Sequence, residues 1–174
     1  MSSIPNTIDS YNVAIGDICV VGSLQGKIVT HALGTCVAVT LFDPDLRIGG
    51  MLHFMLPFPV EAEKASVQPW CYGSLGVPAL FKTAYALGAE KRRLIVCAAG
   101  AAELSDASGN LQIGYRNRTI LRKLLWKNDV ALAAEDVGGG LARSMELDLA
   151  SGAVTVRIQG SRKQIWPVSN ARSA

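Results

Sequence analysis

Between Ile18 and Leu56 the chain is composed of short runs rich in Val, Ile, Leu and Thr, broken only by turn formers, and this restricts the first third of the fold to a sheet. Residues 18–24, 27–33, 36–42 and 50–56 read as four consecutive strands, with turns at Gln25-Gly26, Gly34-Thr35 and Asp43-Pro44-Asp45. The longest uncharged stretches, 28–42 and 48–60, contain Thr, Gly, His or Pro and fall short of the roughly 20 residues a membrane helix requires. Buried strands are therefore expected. The two-residue period of a strand puts Val37, Val39 and Leu41 on one face and Cys36, Ala38 and Thr40 on the other, while His53 shares a face with Met51 and Met55.

Beyond this block, residues 57–72 hold three prolines and Trp70 without a clear period and read as an irregular surface loop. Residues 75–87 predict a helix with Leu80, Ala84 and Leu87 on one stripe and Gly88 as its stop, although Pro78 suits only a first turn. A strand over 93–98 and a Gly/Ala/Ser-rich segment over 99–109 precede a second helix over 116–127, whose apolar stripe holds Ile120, Leu121, Leu124 and Leu125. Strands are expected over 130–134, 143–149 and 153–158, the last two joined by a Ser151-Gly152 hairpin turn, with a frayed tail over 170–174. Strands outnumber helices and do not alternate with them, which favours an α+β fold over a doubly wound parallel sheet. At 174 residues with 49% hydrophobic and 18% charged residues, one domain over 1–174 with its core at about 15–158 is expected.

Several functional classes are disfavoured on the same grounds. Residues 1–17 are polar, with Asp9 and Asp17 and no apolar stretch of a secretion signal, so a cytoplasmic protein is expected. Cys19, Cys36, Cys71 and Cys97 are scattered, with no Cys-x-x-Cys pair, and are expected as free thiols without zinc. The net charge of +3 is small, and the basic residues Lys91, Arg92, Arg93, Arg116, Arg118, Arg122 and Lys123 fit a solvated face or an acidic partner surface better than nucleic acid.

Four cysteines and two histidines leave few candidates for a nucleophile and base. A thiol attacks only as thiolate, and a neighbouring imidazole takes its proton. Cys36 follows the Gly34-Thr35 turn, where backbone N–H groups can point inward, whereas Cys19, Cys71 and Cys97 read as small packing residues. From the residues alone, an inert buried Cys36 and a core imidazole at His53 are the commoner readings, and an ordinary strand threonine at Thr30 is as open as an orienting one. His31, the competing imidazole, directly follows Thr30 on a strand. Asn117 and Arg143 can either bond a substrate carboxamide or cap local backbone.

The ordered blocks Thr30-His31-Ala32-Leu33-Gly34-Thr35-Cys36, Phe42-Asp43-Pro44, Gly49-Gly50-Met51-Leu52-His53-Phe54-Met55-Leu56-Pro57, Ile113-Gly114-Tyr115-Arg116-Asn117, Ala134-Glu135-Asp136-Val137-Gly138-Gly139 and Ala142-Arg143-Ser144 resemble the chemoreceptor glutamine deamidase family, CheD. The resemblance spans roughly residues 15–156 and departs at Ser74, at Ala98-Ala99-Gly100-Ala101 and at Gly140. It implies a β-sandwich core of mixed sheets flanked by helices. It also implies a protein-glutamine deamidase in which Cys36 is the nucleophile, His53 the base and Thr30 the group that orients it, with no metal or organic cofactor. The implied substrate is glutamine on the cytoplasmic helices of chemoreceptors, and a CheC-type phosphatase is an implied partner; nucleic acid and direct membrane insertion are not. Two other readings stay open at this point: a docking or regulatory protein with a vestigial triad, and a thioester enzyme acting on esters or transferring to amines.

Overall fold

The computed structural model describes residues 10–104 and 112–168, so the tail expected over 170–174 and residues 105–109 of the Gly/Ala/Ser-rich segment lie outside the described residues. Two five-stranded mixed sheets form the core, an α+β architecture. The first joins β1 (Ser10–Asn12), β3 (Lys27–Leu33), β8 (Arg143–Asp148), β9 (Val154–Ile158) and β10 (Ser161–Trp166). The second joins β2 (Ile18–Gly22), β5 (Ile48–Phe54), β4 (Val37–Asp43), β6 (Ile95–Gly100) and β7 (Ala134–Val137). Each sheet is antiparallel except for one parallel pair, β1 with β3 and β6 with β7.

Alternation along β4 decides which layer each residue enters. Ala38 and Phe42 face the first sheet and pack with Ile28, Met145, Leu147, Val154 and Val156. Val37, Val39 and Leu41 face the other way, onto α2 (Gly73–Ala86) and α3 (Ile113–Lys127) through Val77, Leu80, Ile120 and Leu121. β4 and β5 are thus buried on both faces, which explains why their sequences are continuously apolar instead of alternating with polar residues. At the far end of β4, fully buried Asp43 takes two or more hydrogen bonds from Arg93 and accepts the Asp45, Leu46 and Glu90 N–H groups. Burial alone would raise its carboxyl pKa, but these donors hold it below the ordinary value.

Several expected elements are displaced. The loop expected over 57–72 contains α1 (Ala62–Val67) and a 3-10 turn at Pro69–Cys71, short elements set by tertiary contacts more than by their own period. Pro78 sits inside α2 because the helix begins at Gly73, two residues earlier than its apolar stripe indicates. The strand expected over 130–134 is shifted: Val130 and Leu132 pack against the helical layer as irregular chain, and pairing starts at Ala134. β1 and β10 escape a pattern-based reading because they lie at the two edges of their sheet, where one side is solvated and apolar runs are short.

Candidate active site

Thr30 comes from the first sheet, on β3, and His53 from the second, on β5, and their side chains meet between the sheets at 2.8 Å, Oγ1 to Nδ1. Each is 1% exposed. The same hydroxyl lies 2.6 Å from the Val13 carbonyl oxygen and donates its single proton there, so it can only accept from the imidazole. Nδ1 therefore carries the imidazole proton, and Nε2 presents a lone pair. Nε2 has no hydrogen-bond partner among the described residues. Burial draws the imidazole pKa down to about 4 against an opposing pull from the Asp17 carboxylate, so the ring is neutral near pH 7.

Cys36 stands on the same face. Ala38 pairs with His53 across β4 and β5, opposed residues project to one side, and Cys36 precedes Ala38 by two. Both Cys36 and Ala38 belong to the inter-sheet cluster. Cys36 is 7% exposed, and burial raises its thiol pKa, its own backbone N–H pulling the other way and nearby Cys71 adding to the rise. Thiol and imidazole are thus both neutral at rest.

The turn that presents Cys36 is held from behind. Its carbonyl accepts Ala101 N–H at 2.7 Å, and the Gly34 carbonyl accepts Ala102 N–H at 2.9 Å. Gly100 has a positive φ of 112°, and a Cβ on it would drive deep into the Cys36 carbonyl oxygen, so only glycine lets β6 come this close. On the other side, Gly16 N–H donates to the His53 carbonyl at 2.7 Å and His53 N–H to the Asp17 carbonyl at 3.3 Å. The 13–17 segment thereby fixes both Thr30 and His53.

Three contributors were not legible in the sequence. Val13 acts through its carbonyl, which any residue supplies, and Asp17 acts through its backbone and its field. Cys71 is buried near enough to Cys36 to affect its thiol, its carbonyl accepting Met55 and Leu56 N–H at 2.8 and 3.0 Å, and it borders the Gly16 backbone. His31 lies elsewhere, exposed on the first sheet with Nδ1 3.2 Å from the Ser144 hydroxyl. Arg143 caps local backbone, donating to the carbonyls of Asp136, Gly138 and Leu141 and pairing with the Asp136 carboxylate. Asn117 also bonds backbone, at Thr35 and Met55. No cluster of three or more His, Cys, Asp or Glu side chains suited to a metal ion occurs among the described residues.

The sequence model of a family described as "CheD chemotactic sensory transduction" matches residues 55–158. Over 157 residues the chain is 44% identical to the probable chemoreceptor glutamine deamidase CheD 2 of Anaeromyxobacter dehalogenans (strain 2CP-C), covering 90% of this chain and 97% of that protein. It is 39% identical over 149 residues to the probable chemoreceptor glutamine deamidase CheD 1 of Syntrophus aciditrophicus (strain SB), covering 85% and 93%. A third similar protein, the probable chemoreceptor glutamine deamidase CheD of Solibacter usitatus (strain Ellin6076), is 36% identical over 156 residues, covering 89% and 92%.

Proposed function

Because the chain belongs to the CheD family, we propose that it is a protein-glutamine deamidase acting on chemoreceptors, with Cys36 as nucleophile, His53 as general base and acid, and Thr30 as the residue that orients His53. The observation that carries this reading is the Thr30–His53 bond, which leaves Nε2 unprotonated on the face that bears Cys36. A base whose far nitrogen is held by a neutral hydroxyl keeps its tautomer without gaining charge, which suits a proton relay between two neutral groups.

In the proposed sequence, His53 Nε2 takes the Cys36 proton as sulfur attacks the glutamine side-chain carbonyl, and a backbone N–H near Cys36 receives the developing oxyanion. The imidazolium returns that proton to the nitrogen, the C–N bond breaks, and ammonia leaves a thioester on Cys36. Water, deprotonated by the same Nε2, then cleaves the thioester to give glutamate and the free thiol. One water enters and one ammonia leaves. The exposed Phe58 and Tyr115, with Arg116 and Lys123, flank a shallow groove beside the end of β5 and supply both apolar and cationic contacts for a protein substrate.

We extend the proposal to a single domain working in the cytoplasm, where receptor helices are accessible, and to a CheC-type phosphatase as a further partner. No helix among the described residues is long and apolar enough to cross a membrane. Incubation with a glutamine-rich cytoplasmic receptor fragment tests the activity: wild-type protein is expected to release ammonia in equal amount to the glutamate formed, and the Cys36→Ala variant neither. Binding by both proteins with turnover by neither would replace the deamidase with a docking function.

A further inference from the structure

Asn117 is wholly buried on α3 among Gly114, Ile120, Leu121 and Leu125, a place where the packing asks for an apolar side chain. Its Nδ2 instead donates to two backbone carbonyls, Thr35 at 3.0 Å and Met55 at 2.8 Å. Two acceptors around one atom require that atom to be the amide nitrogen, so the side chain's orientation follows from the network. Its Oδ1 has no partner among the described residues. Burying a half-satisfied amide costs stability, and cores retain such groups where they serve a site.

The two carbonyls mark what the amide joins. Thr35 immediately precedes Cys36, and Met55 follows His53 by two residues. The ladder between β4 and β5 ends at Val37 with Phe54, so the segments carrying the thiol and leaving the imidazole strand continue past their last paired residues. Asn117 ties them together just beyond that point. The Thr35 carbonyl also shares a trans peptide plane with the Cys36 N–H, so fixing one end points the other away from the helix.

The helix is brought close enough for this by Gly114, one turn earlier. A Cβ there would come within 2.8 Å of the Ala101 carbonyl oxygen and closer still to that of Ala102. Ala101 and Ala102 are the residues whose N–H groups hold the Cys36 and Gly34 carbonyls. The start of α3, the exit of β6 and the nucleophile's turn therefore form one connected unit.

We propose that Asn117 is a positioning residue, clamping the Thr35-Cys36 turn to the end of β5 so that the Cys36 thiol and His53 Nε2 keep their alignment, an inference that rests on the Cys36–His53 reading above. A loss of alignment of the order of 1 Å costs about a hundred-fold in rate, so the clamp governs the chemical step while leaving substrate affinity alone.

The test uses the full chain and follows kcat and KM on the receptor fragment together with the rate of Cys36 alkylation by iodoacetamide, located by peptide mass spectrometry, across pH. Asn117→Ala is expected to lower kcat by about ten- to a hundred-fold with KM within about two-fold, and to erase most of the slowing of alkylation that His53→Gln causes in the wild-type background. Asn117→Ser keeps a single hydroxyl donor and is expected to fall between; it stands in for the alanine variant if that chain does not fold. Wild-type kcat and an undiminished His53→Gln effect in either folded variant would overturn the clamp. If His53→Gln changes neither turnover nor alkylation in the wild-type background, the underlying assignment of the base fails instead.

Discussion

The Thr30 hydroxyl and the His53 imidazole, 2.8 Å apart, join two different sheets of the sandwich, and the direction of that bond sets the tautomer of the ring. Thr30→Val keeps the shape and removes the oxygen. Nδ1 and the Val13 carbonyl then lose their partner in a buried setting, which costs about 1–3 kcal/mol. Turnover is expected to fall at least about ten-fold as the ring loses its fixed tautomer, since a positioned base contributes about a hundred-fold or more. Thr30→Ser should restore most of both. Thermal melts and kcat measured on all three proteins check this.

The depressed His53 pKa links stability to pH. In the unfolded chain the ring titrates near 6.5, whereas in the fold it does so at about 4, so between these values only the unfolded state holds the proton. Stability should therefore decline as pH falls from 6.5 toward 4, by at most about 1.4 kcal/mol per pH unit from this residue. Urea midpoints across that window are expected to slope for the wild type and to flatten for His53→Gln. The acidic limb of kcat/KM should likewise lie near pH 4 and well below 6.5.

At Gly100, a methyl group would meet the Cys36 carbonyl oxygen in a backbone conformation that already disfavours a side chain. Gly100→Ala is expected to cost about 1–3 kcal/mol or more and to reduce turnover of the folded protein, because the strain falls on the turn that presents the thiol. A parallel substitution at Gly140, where a Cβ meets nothing within 4 Å, should leave both unchanged. Comparing the two variants by thermal melt and ammonia release separates the site from general sensitivity to glycine replacement.

Asp43 and Arg93 provide the converse case. They hold the end of β4 opposite Cys36, with the Asp43 side chain fully buried and Arg93 16% exposed. Asp43→Ala leaves Arg93 its contacts with Glu90 and Asp45 but removes the acceptor of the Asp45, Leu46 and Glu90 N–H groups, and is expected to cost about 1–3 kcal/mol. Turnover per folded molecule should remain at the wild-type level at a temperature where the variant is folded. A loss of kcat without a loss of stability would contradict this division of labour.

β4 and β5 were readable because their apolar runs are long, their turn formers are strong and both faces are buried, and β3 because its run is bounded by the turns at Gly26 and Gly34. The two-residue period grouped Cys36 with Ala38 and His53 with Met51 along their own strands, and the resemblance to CheD singled out Cys36, His53 and Thr30, but that the two groups share a face required the β4–β5 register. What stayed hidden depends on contacts between distant segments. The Val13 carbonyl that orients Thr30 leaves no mark in a side chain, and the Asn117 bonds span 82 and 62 residues. The short helix over residues 62–67 and the edge strands β1 and β10 fail for a related reason, being stabilised by their neighbours more than by their own pattern.

Deamidation by this fold requires Cys36 and His53 to act together on a glutamine amide. Mapping glutamine-to-glutamate conversion in a receptor fragment by peptide mass spectrometry, with wild type, Cys36→Ala and His53→Gln side by side and each verified as folded, tests that directly. Conversion by wild type alone, with both variants slower by about a thousand-fold or more, is the predicted result. Conversion by either variant within about ten-fold of wild type would contradict it.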